Sequence, residues 1–135
     1  MKKAIISTLA GLVITVGQIT MSSCGKETNS PPQIELIAGS GNVVKDTSLY
    51  RGTTFRLAIS SNKTGPDDFL SSCKISKSIN GGADSTIQEM NFLTQSFSNF
   101  YSYQAGDSGN VERYTFMISE QKGLSSSVSV TITDI

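Results

Sequence analysis

The sequence contains no histidine, no tryptophan and only two cysteines among its 135 residues. Histidine is the usual general base near neutral pH, so its absence argues against the common forms of acid–base and nucleophilic catalysis. Serines are abundant, but none of them lies in a nucleophile-elbow pattern. We therefore expect that the protein is not an enzyme and that it uses no cofactor.

The chain also lacks an excess of charge of either sign. Lys and Arg together number 11, and Asp and Glu together number 11. Nucleic-acid binding requires clustered Lys and Arg to neutralise phosphates, and the sequence has no such basic stripe. We therefore expect no nucleic-acid partner.

No apolar segment is long enough to cross a bilayer as a helix, which takes about 20 residues. The longest apolar run, residues 4–16, follows Lys2 and Lys3. A short positive start, an apolar run and small residues before a cleavage site are typical of a secretory signal peptide. We expect residues 1–23 to be such a peptide. A buried core helix is the alternative, but the run has no helical periodicity.

The end of this segment, MSSC at residues 21–24, resembles the lipobox of bacterial lipoproteins. In that family the cysteine sulfur receives a diacylglycerol, and cleavage leaves the cysteine as the first residue. The resemblance implies that Cys24 is lipidated and that acyl chains, including palmitate, anchor the protein to a membrane. An ordinary signal peptide followed by a chance cysteine is the alternative.

Residues 25–27, GKE, are similar to the short Lys-acidic export signal of Bacteroidetes surface lipoproteins. This resemblance implies an outer-membrane lipoprotein of the cell envelope that faces the periplasm or the medium; a solvated linker is the alternative. The whole stretch 24–33, CGKETNSPPQ, is polar and predicts a flexible linker. With Cys24 acylated, Cys73 would have no disulfide partner, and its place in an apolar pattern predicts a small buried side chain rather than a reactive thiol.

Residues 34–135 show short runs in which apolar and polar residues alternate, separated by turn residues. The clearest run places Val128, Val130 and Ile132 on one face, which we expect to be buried. Asn80-Gly81-Gly82 predicts a type I′ hairpin turn. Strands are predicted near 33–38, 53–61, 70–79, 85–92, 95–104, 111–120 and 124–133. About seven strands in a chain of this length indicate an all-β protein, a two-layer antiparallel β-sandwich.

Residues 114–132, YTFMISEQKGLSSSVSVTI, resemble the closing hairpin of bacterial immunoglobulin-like modules of the polycystic-kidney-disease and cadherin-like type. The stretch from Pro32 onward also resembles small Bacteroidetes lipoproteins with one such domain. These resemblances imply an immunoglobulin-like β-sandwich over residues 34–135. Many such modules have a turn-fixing aspartate after the sixth strand, and Glu120 stands in its place. The fold does not imply a function, because this sandwich carries many unrelated sites.

Residues 97–103, FSNFYSY, hold four aromatics in seven positions. Strand alternation places Phe97, Tyr101 and Tyr103 on one face and Phe100 on the other. Exposed aromatics are the usual stacking surface of sugar sites, so Phe100, Tyr101 and Tyr103 are candidate ligand-facing residues. A core role for most of these rings is the alternative, since burial favours aromatics.

Two further features concern metal binding and modification. Asp67, Asp68 and Asp107 lie in predicted loops, but no ladder of carboxylates of the kind that holds calcium is present, so we interpret them as solvated turn residues. Asp84-Ser85-Thr86 matches the sequon for O-glycosylation in Bacteroidetes, which makes Ser85 a candidate acceptor beside the predicted hairpin turn.

Taken as a whole, the sequence predicts a lipid-anchored cell-envelope protein that acts as a non-enzymatic binding or structural accessory module. Its partners would be the membrane, through the N-terminal lipid, and either a glycan or another envelope protein. A surface glycan-binding or adhesion protein is the first alternative. A metal-dependent module or an enzyme is the second.

Overall fold

A computed structural model describes residues 30–135. The predicted signal peptide, Cys24 and most of the predicted linker lie outside the described residues. Eight strands follow one another without an intervening helix: β1 (Gln33–Leu36), β2 (Thr47–Leu49), β3 (Thr54–Asn62), β4 (Leu70–Ile79), β5 (Ser85–Thr94), β6 (Ser96–Gln104), β7 (Val111–Glu120) and β8 (Ser125–Asp134). Within this range no helix has the length and hydropathy that crossing a membrane requires.

The strands form two sheets with the orders β1-β3-β6 and β2-β8-β7-β4-β5. All pairings are antiparallel except that of β2, which runs parallel to β8. The first, third and sixth strands form one sheet, which faces a second sheet built around the fourth, seventh and eighth strands. This is the immunoglobulin-like arrangement. The predicted all-β, immunoglobulin-like sandwich is confirmed.

The core lies between the sheets and is supplied by the inward positions of the long strands. On β8, Val130 and Ile132 are fully buried and Val128 packs against the core while partly exposed, as the alternation predicted. The fully buried apolar side chains come from both sheets and include Leu57, Ile59, Leu70, Cys73, Ile75, Tyr114, Phe116 and Ile118.

Strand β2 was not predicted, and its shortness is the reason. Three residues cannot show an alternation, and β2 exists because it pairs in parallel with residues 132–134 of β8. The junction is reinforced just before the strand, where the Thr131 amide donates to Asp46 Oδ1 at 2.8 Å. A parallel edge pairing of this kind depends on a partner more than eighty residues away.

The β4–β5 turn has the predicted type I′ geometry. Asn80 and Gly81 have positive φ angles of 52° and 76°, and the Gly82 amide donates to the Ile79 carbonyl at 3.0 Å. Asn and Gly enter this left-handed region at the lowest steric cost, which is why the dipeptide predicted the turn.

The start of the described chain contacts the sandwich at one end, which we call the linker end. Thr64, in the β3–β4 loop, donates its hydroxyl to the Ser30 carbonyl at 2.6 Å, and Ser61 donates to the Gln33 carbonyl at 2.5 Å. Glu120 Oε1 accepts from both the amide and the hydroxyl of Thr64 at 3.3 Å. The side chain of Glu120 therefore ties β7 to the β3–β4 loop. The opposite end, which we call the far end, carries the β4–β5 turn and the β6–β7 loop.

Candidate functional site

The structure separates the three candidate ligand-facing aromatics. Phe100 lies on the outer face of the three-stranded sheet with 57% of its surface exposed, whereas Tyr101 is only 9% exposed. Tyr101 packs on Phe116 with ring centroids 5.8 Å apart, and Tyr103 packs on Tyr114 at 4.7 Å. Burial raises the pKa of Tyr101 above its usual value and that of Tyr103 to about 12.

Tyr101 and Tyr103 are therefore core aromatics, because alternation along β6 turns them toward the opposite sheet. Phe97 shares their face and stacks on Phe92, with centroids 4.6 Å apart. Of the three candidates, Phe100 is the one that the structure leaves on the surface.

Phe100 borders a groove that we call the Arg56 groove, with a volume of about 430 Å³. This volume falls within the range of about 300–1,000 Å³ that is usual for ligand sites. Its lining residues come from the β1–β2 connection, β3 and β6: Ile37, Ser40, Asn42, Arg56, Ala58, Ser98, Asn99 and Phe100.

The register between β3 and β6 places a small residue beside the exposed ring. Ala58 pairs directly with Phe100, and although it faces outward it is only 6% exposed because its neighbours cover it. A larger residue at this position would fill the space next to the ring. Ala58 thus forms the floor of the groove.

Arg56 lies two residues before Ala58, on the same outward face of β3. Its guanidinium carbon is 5.2 Å from the centre of the Phe100 ring, within the range of a cation–π contact. Its Nη2 donates to the Ser40 carbonyl at 2.8 Å. The guanidinium is thus held from two sides, by the ring and by the loop.

The loop that forms the other wall is itself closed by hydrogen bonds. Asn42 donates its side-chain amide to the Ile37 carbonyl at 3.0 Å, and its backbone amide donates to the Gly39 carbonyl at 3.0 Å. The chain rejoins β3 where the Val43 amide donates to the Arg56 carbonyl at 2.8 Å. On the β6 side, Asn99 Oδ1 accepts from the Phe100 amide at 2.9 Å. The groove is therefore built on backbone that is already bonded.

Sequence reasoning identified Phe100 but missed Arg56 and the loop of residues 37–42. Arg56 was visible only as an outward residue of an alternating strand, a position that is usually a solvated one. Its meeting with Phe100 depends on the β3–β6 register, which no local pattern encodes.

A second unusual cluster lies at the far end, where the carboxylates of Glu112 and Asp134 are both buried. Glu112 Oε1 is 2.9 Å from Lys77 Nζ, and Glu112 Oε2 accepts from the Tyr114 hydroxyl at 2.9 Å. Asp134 is 1% exposed, and within residues 30–135 neither of its carboxylate oxygens has a hydrogen-bond partner. We call Glu112 and Asp134 the buried acid pair.

Gly106 leaves room for the side chains of both acids. A Cβ atom at this position would lie 2.6 Å from Glu112 Oε1 and 3.2 Å from Asp134 Oδ2. Burial is the main cause that raises the pKa of Asp134, and the charge of Glu112 adds to it. The Gly106 amide lowers this pKa in part, although its geometry falls short of a hydrogen bond. Desolvation and the bond to Glu112 raise the pKa of Tyr114 as well.

The aspartates examined as metal ligands do not converge. Asp67 and Asp68 lie in the β3–β4 loop at the linker end, and Asp107 lies in the β6–β7 loop at the far end. Asp68 is buried and not solvated as expected, since its Oδ1 accepts from the Phe69 amide at 2.8 Å. Throughout the part of the chain that the structure describes, no three His, Cys, Asp or Glu side chains are grouped to hold a metal ion.

The remaining sequence candidates occupy simple environments. Cys73 is fully buried, as predicted, and burial raises the pKa of its thiol to about 11. Ser85 is exposed at the start of β5, beside the ion pair of Asp84 with Arg113 at 3.2 Å. Its hydroxyl lies at the far end of the sandwich, and its O-glycosylation stays a prediction.

No protein-family model matches the sequence, and a search of curated proteins finds no relative. Among solved structures, the chain is similar to a superoxide reductase (neelaredoxin) from Ignicoccus hospitalis, with 8% identity, a TM-score of 0.51, and coverage of 78% of this chain and 81% of that one. It is also similar to the sporulation control protein Spo0M of Bacillus subtilis (11% identity, TM-score 0.47, coverage 78% and 49%).

A CARDB domain from Pyrococcus furiosus, solved in complex with di-metal ions, is similar at 10% identity, with a TM-score of 0.46 and coverage of 80% of this chain and 94% of that domain. At such identities a likeness extends to the fold alone. The reductase comparison thus agrees with the β-sandwich that the strand order defines.

Proposed function

We propose that the protein is a lipid-tethered, non-enzymatic binding module of a bacterial cell envelope, and that the Arg56 groove is its ligand surface. The observation that carries the proposal is an exposed aromatic ring, Phe100, with a guanidinium stacked on it beside a small-residue floor. Rings left exposed next to fixed polar groups are a common feature of binding sites.

The chemistry of the lining favours binding over catalysis. The described lining residues offer hydroxyl, amide and guanidinium groups, and none of them has a carboxylate, imidazole or thiol to accept a proton. Such groups orient a ligand by hydrogen bonds without a general base to activate a nucleophile. The groove lies on the outer face of the three-stranded sheet, where the outward side chains of β3 and β6 form its surface.

The tether is supported by the residues that precede the domain. The apolar run, the MSSC stretch at residues 21–24 and the polar linker follow in the order expected of a lipoprotein. Labelled palmitate should enter the wild-type protein and the Cys73→Ala variant, but not the Cys24→Ala variant, which should appear in the soluble fraction. Equal labelling of all three would contradict the lipid anchor.

The binding role can be tested with the purified domain on a glycan array. A glycan that binds the wild-type domain should not bind the Phe100→Ala variant and should still bind the Tyr50→Ala variant. Tyr50 is the matched control, because it is an aromatic residue with 73% exposure outside the groove. Binding that persists in Phe100→Ala would place the ligand elsewhere, and a domain that binds no glycan would favour the structural role.

A further inference from the structure

The Arg56 groove has an uneven charge that bears on the class of its ligand. Of the eight described residues that line it, Arg56 is charged and the other seven are neutral. A single cation beside an exposed ring produces a positive potential that no neighbouring acid in the lining offsets. Charge complementarity therefore favours an anionic ligand.

The orientation of the Arg56 guanidinium favours a carboxylate as that anion. A guanidinium carries five N–H donors in a planar fork, and the contact with the Ser40 carbonyl uses one of them. The ring of Phe100 and the loop carbonyl restrict the fork before a ligand arrives. A pre-oriented fork of this kind loses little entropy when it binds a carboxylate through two parallel hydrogen bonds.

The rest of the groove favours a sugar ring over a peptide. The Phe100 face and the Ala58 methyl form a small apolar patch, and the rim carries the amides of Asn42 and Asn99 and the hydroxyl of Ser98. A pyranose has the matching features, an apolar face of C–H groups and a rim of hydroxyls. An extended peptide would instead use backbone bonds, for which β6 has one unpaired edge, and would not need the outward ring of Phe100.

We propose that the Arg56 groove recognises an acidic saccharide, with the carboxylate of a uronic acid on Arg56 and the sugar ring on Phe100. This inference rests on the proposed function, since it assigns the ligand class of the same groove. No covalent step is involved.

The test uses oligosaccharides of glucuronic, galacturonic and mannuronic acid, each paired with its carboxyl-reduced counterpart. Reduction removes the charge and keeps the sugar ring, so the pair isolates the carboxylate. Binding is followed by amide chemical shifts in two-dimensional NMR of the ¹⁵N-labelled domain, which detects weak complexes. At least one acidic oligosaccharide should shift residues of the groove, and its affinity should exceed that of the reduced form about tenfold or more, as expected for charge-assisted hydrogen bonds.

Variants separate the two contacts. Arg56→Gln should lower the affinity for the acidic form about tenfold or more and remove most of the preference for the acidic form over the reduced form. Arg56→Lys should keep the salt dependence of binding but recover only part of the affinity. Phe100→Ala should weaken the binding of both the acidic and the reduced form, and Tyr50→Ala should weaken the binding of neither.

Each contrary result has a distinct meaning. If reduced and acidic forms bind equally and both need Phe100, the acidic class is wrong and the proposed function stands. If a glutamate hexapeptide binds as tightly as the uronic acids and does not need Phe100, the groove recognises a carboxylate and not a saccharide. If no uronic acid oligosaccharide shifts the groove residues, the inference is overturned, and the glycan array decides the proposed function separately.

Discussion

The buried acid pair should make this domain more stable in mild acid than at neutral pH. Among residues 30–135 Asp134 has no hydrogen-bond donor for its buried carboxylate, and the charge of Glu112 disfavours its ionised form. Lys77 Nζ lies 2.9 Å from Glu112 Oε1, and its charge lowers the pKa of Asp134 less than burial and Glu112 raise it. The ionised Asp134 carboxylate is thus the unfavourable element of the cluster.

The direction in which stability changes with pH follows from proton linkage. Because the folded pKa of Asp134 is raised above its usual value of 3.8, the folded protein binds a proton more readily than the unfolded chain does. The contribution of Asp134 to stability is therefore largest below the unfolded pKa. It is lost as the pH rises from there through the folded pKa.

Asp134→Asn tests this reasoning, because asparagine has nearly the same shape and carries no charge. Leaving a buried polar group unsatisfied costs about 1–3 kcal/mol. We expect the variant to be more stable than the wild type by about that amount at pH 8. In a domain of this size each kcal/mol corresponds to about 4–8 °C in Tm. The difference should shrink toward zero in acid, where the wild-type carboxyl is protonated.

The assay is thermal unfolding followed by circular dichroism between pH 4 and pH 8.5 at constant ionic strength. Asp84→Asn is the control, since Asp84 is exposed and pairs with Arg113 at 3.2 Å, a surface contact worth about 0–1 kcal/mol. A variant of Asp134 that is less stable than the wild type at pH 8, or that keeps the wild-type pH profile, would refute the account.

Two further stability predictions concern single positions. Gly106→Ala should destabilise the domain by about 1–3 kcal/mol, because its Cβ would lie 2.6 Å from Glu112 Oε1. The control, Gly65→Ala, should change Tm little, since its Cβ would meet an ordinary contact at 3.8 Å, and equal Tm values for the two variants would contradict the packing described. Ile132→Ala should lower the free energy of unfolding by about 2–5 kcal/mol in chemical denaturation, because the side chain is fully buried. Ser127→Ala should leave it nearly unchanged, and an unchanged denaturation midpoint for the Ile132 variant would contradict the place of β8 in the core.

The local sequence was sufficient to predict the strands because their pattern is set by burial of one face. Phe55, Leu57 and Ile59 alternate with polar or small residues. Such a two-residue period indicates a strand with one face toward the core. The I′ turn was equally local, since it depends on the left-handed φ of Asn80 and Gly81. Elements whose cause lies within a few residues could be predicted from those residues.

Tertiary structure alone decided which residues meet. The parallel pairing of β2 with β8, the stacking of Arg56 on Phe100 and the convergence of Glu112 with Asp134 each join segments far apart in the chain. These meetings depend on strand register and sheet order, which are fixed by the packing of both sheets together. The aromatic run of β6 shows both levels: its alternation was local, but the closing of the second sheet over one face buried Tyr101 and left Phe100 in the solvent.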